Sequence, residues 1–233
     1  MYYSDELNEF LFFSYFGIKK ECVSNEEILI KQLVNRAYRD AACHIHSYNT
    51  KEECSNTIFS NILELRKWNQ TENTDKSFDE WHSEVCKSLK NIEIGTTYGM
   101  VQKWVNMSLK YLLLIGDEKV EKIKEKLHVP IDRYILIASA SEGRKLKHKN
   151  PFVLNIDLPR KRVGKDNPNK GAFSDEKTIS WSQWEEEEYI EFQNQLREII
   201  RSGKFKDKDI SCPIEWEIRA WIEQARIECN IQT

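Results

Sequence analysis

The chain has 233 residues, 40% apolar and 31% charged, with only 8 Gly and 5 Pro. This excludes a disordered or collagen-like polymer and suits a helix-rich globular protein long enough to bury a full core. The net charge of -3 does not mark a nucleic-acid binder, yet it leaves room for a local basic patch that contacts phosphate.

The opening stretch MYYSDELNEFLFFSYF is aromatic but carries Asp5, Glu6 and Glu9, so it lacks the basic start and apolar run of a secretory signal. No apolar stretch has the length of a membrane span. A cytoplasmic protein is expected, with Cys22, Cys43, Cys54, Cys86, Cys212 and Cys229 as reduced thiols. None of them falls in a CxxC pair, and His44 and His46 are the nearest histidines to one another. The cysteines therefore read as small buried hydrophobes and no metal site is expected.

In chain order, residues 25–48 read as a helix capped by Asn25, acidic at Glu26 and Glu27, with Ile28, Leu29, Leu33, Ala37, Ala41 and Ile45 as its apolar stripe. A second helix is expected over 51–68 from Ile58, Ile62 and Leu65. The polar linker NQTENTDKS follows, then a short helix in which Phe78, Trp81, Val85 and Leu89 keep helical spacing. KNIEIGTTYG, with Gly95 and Gly99, reads as a turn between a helix ending near Lys90 and one beginning near Tyr98.

In that next helix, GMVQKWVNMSLKYLLLIG, the core stripe is Val101, Val105, Leu109 and Leu112. Lys103, Asn106 and Lys110 share another face, which reads as polar. EKVEKIKEKL adds an amphipathic turn or two, and Pro130 and Asp132 suit the first turn of a further helix.

Residues 143–171 hold nine Lys or Arg against two Asp, a basic insertion with a possible short strand at FVLNI. A solvated loop and a phosphate-contacting loop are equally open readings. SWSQWEEEEYIEFQNQLREII starts with a capping box, Ser182 to Glu185, and continues as a helix. PIEWEIRAWIEQARIE forms the last one, presenting Trp216 and Trp221. No internal repeat is visible. A mainly α protein is expected, a single helical domain over 1–233 with a hairpin region at 95–140, the basic insertion at 141–180 and C-terminal helices at 181–231.

A lysine at the start of a helix after a glycine-containing turn, followed further on by Pro130-Ile131-Asp132, resembles the helix-hairpin-helix DNA glycosylase superfamily. Within it the pattern is most similar to the archaeal 8-oxoguanine DNA glycosylase branch, where a second lysine stands seven residues after the first and an acidic residue stands four before a tryptophan. Here these are Lys110 after Lys103, and Glu217 before Trp221. The resemblance covers residues 95–140 and the last helix. The family's usual hairpin signature, two glycines flanking one apolar residue, is absent, and residues 141–180 have no counterpart.

The resemblance implies a two-lobed helical bundle that extrudes a base from double-stranded DNA and excises it without a cofactor. Lys103 would be the nucleophile and Asp132 the carboxylate. Lys110, Glu217, Asn106 and Met107 would line the base pocket, Trp221 would be one wall, and Trp68 or Trp104 a second. Gly99, Gln102 and Arg133 would contact DNA. The damaged base, 8-oxoguanine-like, follows from the branch resemblance alone. No membrane or obligate protein partner is expected.

The chemistry suits these residue types. Breaking an N-glycosidic bond develops positive charge at the sugar carbon, which a carboxylate stabilises, and a neutral amine that attacks this carbon leaves a Schiff base. The extruded base needs aromatic faces to hold it. Plainer accounts also stand. Lys103 and Lys110 can be solvated helix residues, Trp216 and Trp221 core, Glu217 a surface charge, and Asp132 a helix-start carboxylate worth ~0.3–1 kcal/mol. Arg39, Asp40, His44 and His46 can line a cleft or form a helix-surface cluster. A non-catalytic nucleic-acid-binding protein on the same scaffold, and a helical interaction protein, remain as alternatives.

Overall fold

Apolar residues at helical spacing account for most of the secondary structure. The computed structural model describes residues 10, 13–17, 25–41, 48–68, 74–92, 95–139, 150–162 and 176–231. Among these the protein is mainly α, and no helix is long and apolar enough to cross a membrane. Contacts divide the chain into two units. One comprises residues 1–96 and 100–130, the other 97–99 and 131–233.

In the first unit, α1 (Glu26–Ala41) begins where the Asn25 side chain accepts from the Ile28 amide at 3.1 Å. Leu29, Leu33, Ala37 and Ala41 are buried, whereas Ile28 is 42% exposed, because one residue of helical rotation from Leu29 carries it off the inner face. The described part of α1 reaches Ala41, residues 42–47 lie outside the described residues, and α2 (Tyr48–Leu65) starts ahead of the expected 51. Ile45 lies outside the described residues. Helix α2 packs on both α1 and α3 (Asp75–Ile92) through its buried Ile58, Ile62 and Leu65.

Helix α3 is a full 18-residue element, longer than the short helix expected. Its start is locked reciprocally: Thr74 Oγ1 accepts from the Ser77 amide at 3.1 Å and Ser77 Oγ accepts from the Thr74 amide at 3.0 Å. Phe78, Trp81, Val85 and Leu89 are all buried. Helix α4 (Tyr98–Leu114) buries the expected stripe Val101, Val105, Leu109 and Leu112. A short α5 (Glu118–Glu121) follows, capped by Asp117.

In the second unit, α6 (Arg133–Ser139) and α7 (Glu186–Arg201) each pack on α8 (Pro213–Ile231). Pro130 is not in the first turn of α6. Residues 127–132 are non-helical, and the first helical hydrogen bond runs from the Leu136 amide to the Asp132 carbonyl at 2.9 Å, which makes Asp132 the cap.

FVLNI is not a strand. Asn155 takes φ 66, outside extended backbone, and the segment instead bonds the end of α6 through Leu154 N to Ala138 O and Ile156 N to Ser139 O. The strands lie within the 141–180 insertion, where β1 (Arg160–Arg162) pairs antiparallel with β2 (Glu176–Thr178), Lys161 opposite Lys177. Residues 143–149 and 163–171, the rest of the basic stretch, lie outside the described residues. The capping box of α7 is displaced by three residues from Ser182 to Glu185, whose amide donates to Glu188 Oε2 at 3.0 Å. Trp181–Gln183 instead forms a 3-10 turn that brings Trp184 into the interior.

Candidate functional site

In the second unit the Asp132 carboxylate has two distinct engagements. Oδ1 accepts from the Ile135 amide at 3.0 Å, the side-chain cap of α6, and Oδ2 accepts from Trp221 Nε1 at 3.1 Å. The carboxylate is thereby oriented from both sides. Helix α8 presents its two tryptophans differently: Trp216 is buried and donates to the Phe152 carbonyl at 2.8 Å, whereas Trp221 is 37% exposed. The Tyr134 ring lies edge-on to Trp221, with centroids 5.3 Å apart.

Arg133 is 71% exposed and pairs with Glu228 at 3.1 Å. An exposed pair of this kind contributes little stability. Glu217, one turn before Trp221, is buried and is not a surface charge. The result is a surface cluster in which a fixed carboxylate borders an aromatic face, with a cation beside it.

In the first unit, Lys103, Met107 and Lys110 are half-buried on α4. Asn106 and Gln102 are not on a solvated face with them. Asn106 is 1% exposed and Gln102 fully buried, because both take part in an interior hydrogen-bond network. Asn106 Nδ2 lies 2.8 Å from Gln102 Oε1 and 3.2 Å from the Val129 carbonyl, and its Oδ1 lies 3.0 Å from His82 Nε2. Gln102 therefore has no surface to offer DNA, and Asn106 none to offer a base. His128, whose ring is tilted against that of His82 with centroids 4.5 Å apart, bonds Asp79 at 2.6 Å.

His82, His128 and Asp79 were not singled out from sequence. The available signal was a histidine on the apolar stripe of α3, one turn after Phe78 and one before Cys86. Cys86, His82 and Asn106 together have the partners of a nucleophilic triad. The Cys86 sulfur, however, is 3.7 Å from Nδ1 and 3.8 Å from Nε2 of the ring. Nearly equal distances place it over the ring, away from a nitrogen lone pair in the plane, and all three residues are buried. The thiol packs there. Cys54 and Cys212 are buried likewise, Cys229 is exposed, and Cys22 and Cys43 lie outside the described residues.

Other expected site residues have interior duties. Gly99 donates its amide to the Trp184 carbonyl at 2.9 Å, and a Cβ there would collide with the Trp181 carbonyl, so this glycine allows close backbone packing within the second unit instead of facing DNA. Trp104 is buried with Nε1 on the Val34 carbonyl at 2.8 Å, which removes it as a base wall. Trp68 is half-buried.

Arg39 is exposed. Asp40 instead joins Arg36, Tyr15 and Tyr111. Burial, together with the hydrogen bond to Asp40, holds the Tyr111 hydroxyl well above the usual tyrosine range. His44 and His46 lie outside the described residues.

A cavity of about 290 Å³ in the first unit is lined by Arg66, Asp117, Glu26 and Lys119 among others. Among the described residues no group of three or more His, Cys, Asp or Glu is placed to hold a metal ion. The chain matches no family model, no curated protein and no solved structure. The likeness to DNA glycosylases rests on the residues themselves.

Proposed function

We propose that the protein is a DNA glycosylase with associated lyase activity that excises a damaged or modified base, 8-oxoguanine-like by resemblance. The observation that carries this reading is the hydrogen bond from Trp221 Nε1 to Asp132 Oδ2. These residues are 89 positions apart, and the spacing pattern singled out both, one as the carboxylate and one as the base wall. A carboxylate that borders an aromatic face has the two elements needed beside an extruded nucleotide.

In this reading, the base stacks on the Trp221 ring, and the Asp132 carboxylate stabilises positive charge developing at the sugar carbon. The amine of Lys103 attacks that carbon, the base leaves with the glycosidic electron pair, and a proton supplied from solvent neutralises it. The attached amine gives up a proton, the C1′–O4′ bond breaks with O4′ taking up a proton as the C4′ hydroxyl, and the resulting Schiff base undergoes β-elimination of the 3′ phosphate, which breaks the strand. Lys110, Met107 and Trp68 contact the base, and Arg133 contacts the DNA.

Borohydride trapping on duplex DNA carrying 8-oxoguanine or an abasic site tests the reading. A covalent adduct is expected from the wild type and none from Lys103→Ala. Absence of any adduct on these and other lesions overturns it.

One observation favours a second reading, a non-catalytic nucleic-acid-binding protein. The antiparallel ribbon places Arg160, Lys161, Arg162 and Lys177 within three adjoining register pairs, with Glu176 opposite Arg162, a basic element independent of Lys103 and Asp132. Salt-sensitive DNA binding without trapping is the outcome that selects it.

A further inference from the structure

We infer that Asn106 and His82 are positioning residues that hold α4 in one register and thereby place Lys103, an inference that rests on Lys103 being the reacting amine. Val101, Val105, Leu109 and Leu112 bury one face of α4, but apolar contacts are non-directional and tolerate several packings of similar energy. Hydrogen bonds within a buried network are directional, and a roll or slide of the helix leaves their donors and acceptors unsatisfied.

The Asn106 carboxamide is engaged at both ends. Its two N–H groups reach Gln102 Oε1 and the Val129 carbonyl, so its oxygen must accept, which makes His82 Nε2 a donor. His82 is in turn packed against His128, which Asp79 holds at 2.6 Å. Three pieces of chain, α3, α4 and the 127–130 segment, are thus joined through one side chain.

The position of that side chain gives the network its purpose. Lys103 is three residues before Asn106, just under one helical turn, and Val129 is three residues before Asp132 along the chain. The bond from Asn106 to Val129 therefore ties the turn bearing the lysine to the 127–130 segment of the same unit.

Two measurements test this in the full chain. The first is the trapping rate at saturating abasic-site DNA. The second needs no DNA: the reductive methylation rate of Lys103 by formaldehyde and cyanoborohydride, read by peptide mass spectrometry against the exposed Lys76. Asn106→Leu and His82→Leu are expected to lower the trapping rate roughly 10- to 100-fold through misplacement of the amine, with the half-saturating DNA concentration unchanged. Both are expected to change Lys103 methylation several-fold.

His82→Gln, whose amide nitrogen stands in for Nε2, should retain both wild-type readouts, and this pair decides the matter if Asn106→Leu does not fold. Wild-type methylation of Lys103 in folded Asn106→Leu or His82→Leu overturns the positioning role, as does a His82→Gln variant no better than His82→Leu. If the wild type itself is never trapped, the glycosylase reading falls while methylation still decides the register question.

Discussion

In the first unit His82, Asn106 and Gln102 turn inward and bond one another, whereas in the second Asp132 and Trp221 make their bond at the surface, with the indole 37% exposed. Polar groups of similar chemistry thus meet different fates. A buried hydrogen bond costs much to break, because the partner left behind stays dry, while at a surface water replaces what is lost. The inward network is therefore suited to holding a helix still. The outward pair can exchange its partner for a ligand at small cost.

The sharpest way to break this contrast is to compare one deletion in each unit. His128→Leu removes the buried donor to Asp79 and should cost about 1.5–3 kcal/mol of stability, the value of a hydrogen bond to a charged group. Chemical denaturation measures it, and a loss as small as that of a surface substitution would erase the distinction. Asp132→Ala should cost only about 1 kcal/mol, the worth of a helix cap, because water replaces the carboxylate at the indole. Its trapping by borohydride should nevertheless fall about 100-fold or more if the carboxylate stabilises the developing charge.

The smallest effect is confined to alkaline solution. Tyr111 has its pKa raised above the ordinary 10.0 by burial and by Asp40, so the folded state retains the hydroxyl proton where the unfolded chain releases it. Stability from this group is complete below pH 10.0 and declines as pH rises beyond it. Denaturation midpoints followed from pH 8 to 11 should fall at the alkaline end in the wild type and fall less in Tyr111→Phe.

The expected helices were legible where periodicity was long and clean, as in Val101, Val105, Leu109 and Leu112 of α4 or Phe78, Trp81, Val85 and Leu89 of α3. The boundaries were less so. Ser182 has the right composition for a cap, but the interior claims Trp184, and the helix starts three residues later on Glu185. FVLNI alternates like a strand, yet Asn155 turns the backbone into the left-handed region and the segment bonds α6 instead.

Within the candidate site, the spacing pattern identified Asp132 and Trp221, and both stand in one surface cluster. Helical spacing put Asn106 on a polar face with Lys103 and Lys110, and the resemblance assigned Gln102 to DNA, whereas both are buried. Their neighbours on α4 gave no sign of His82 or Val129, 24 and 23 residues away from Asn106.

The sequence by itself determined which stretches become helices and which face of each is apolar, because both depend on side chains within a few residues of one another. Only the tertiary structure decided what each polar residue does. The roles of Asn106 as an interior bond-maker, Gly99 as a site of close backbone packing and Asp132 as the partner of Trp221 depend on groups brought near by folding, and hydrogen bonds at such separations leave no trace in local periodicity.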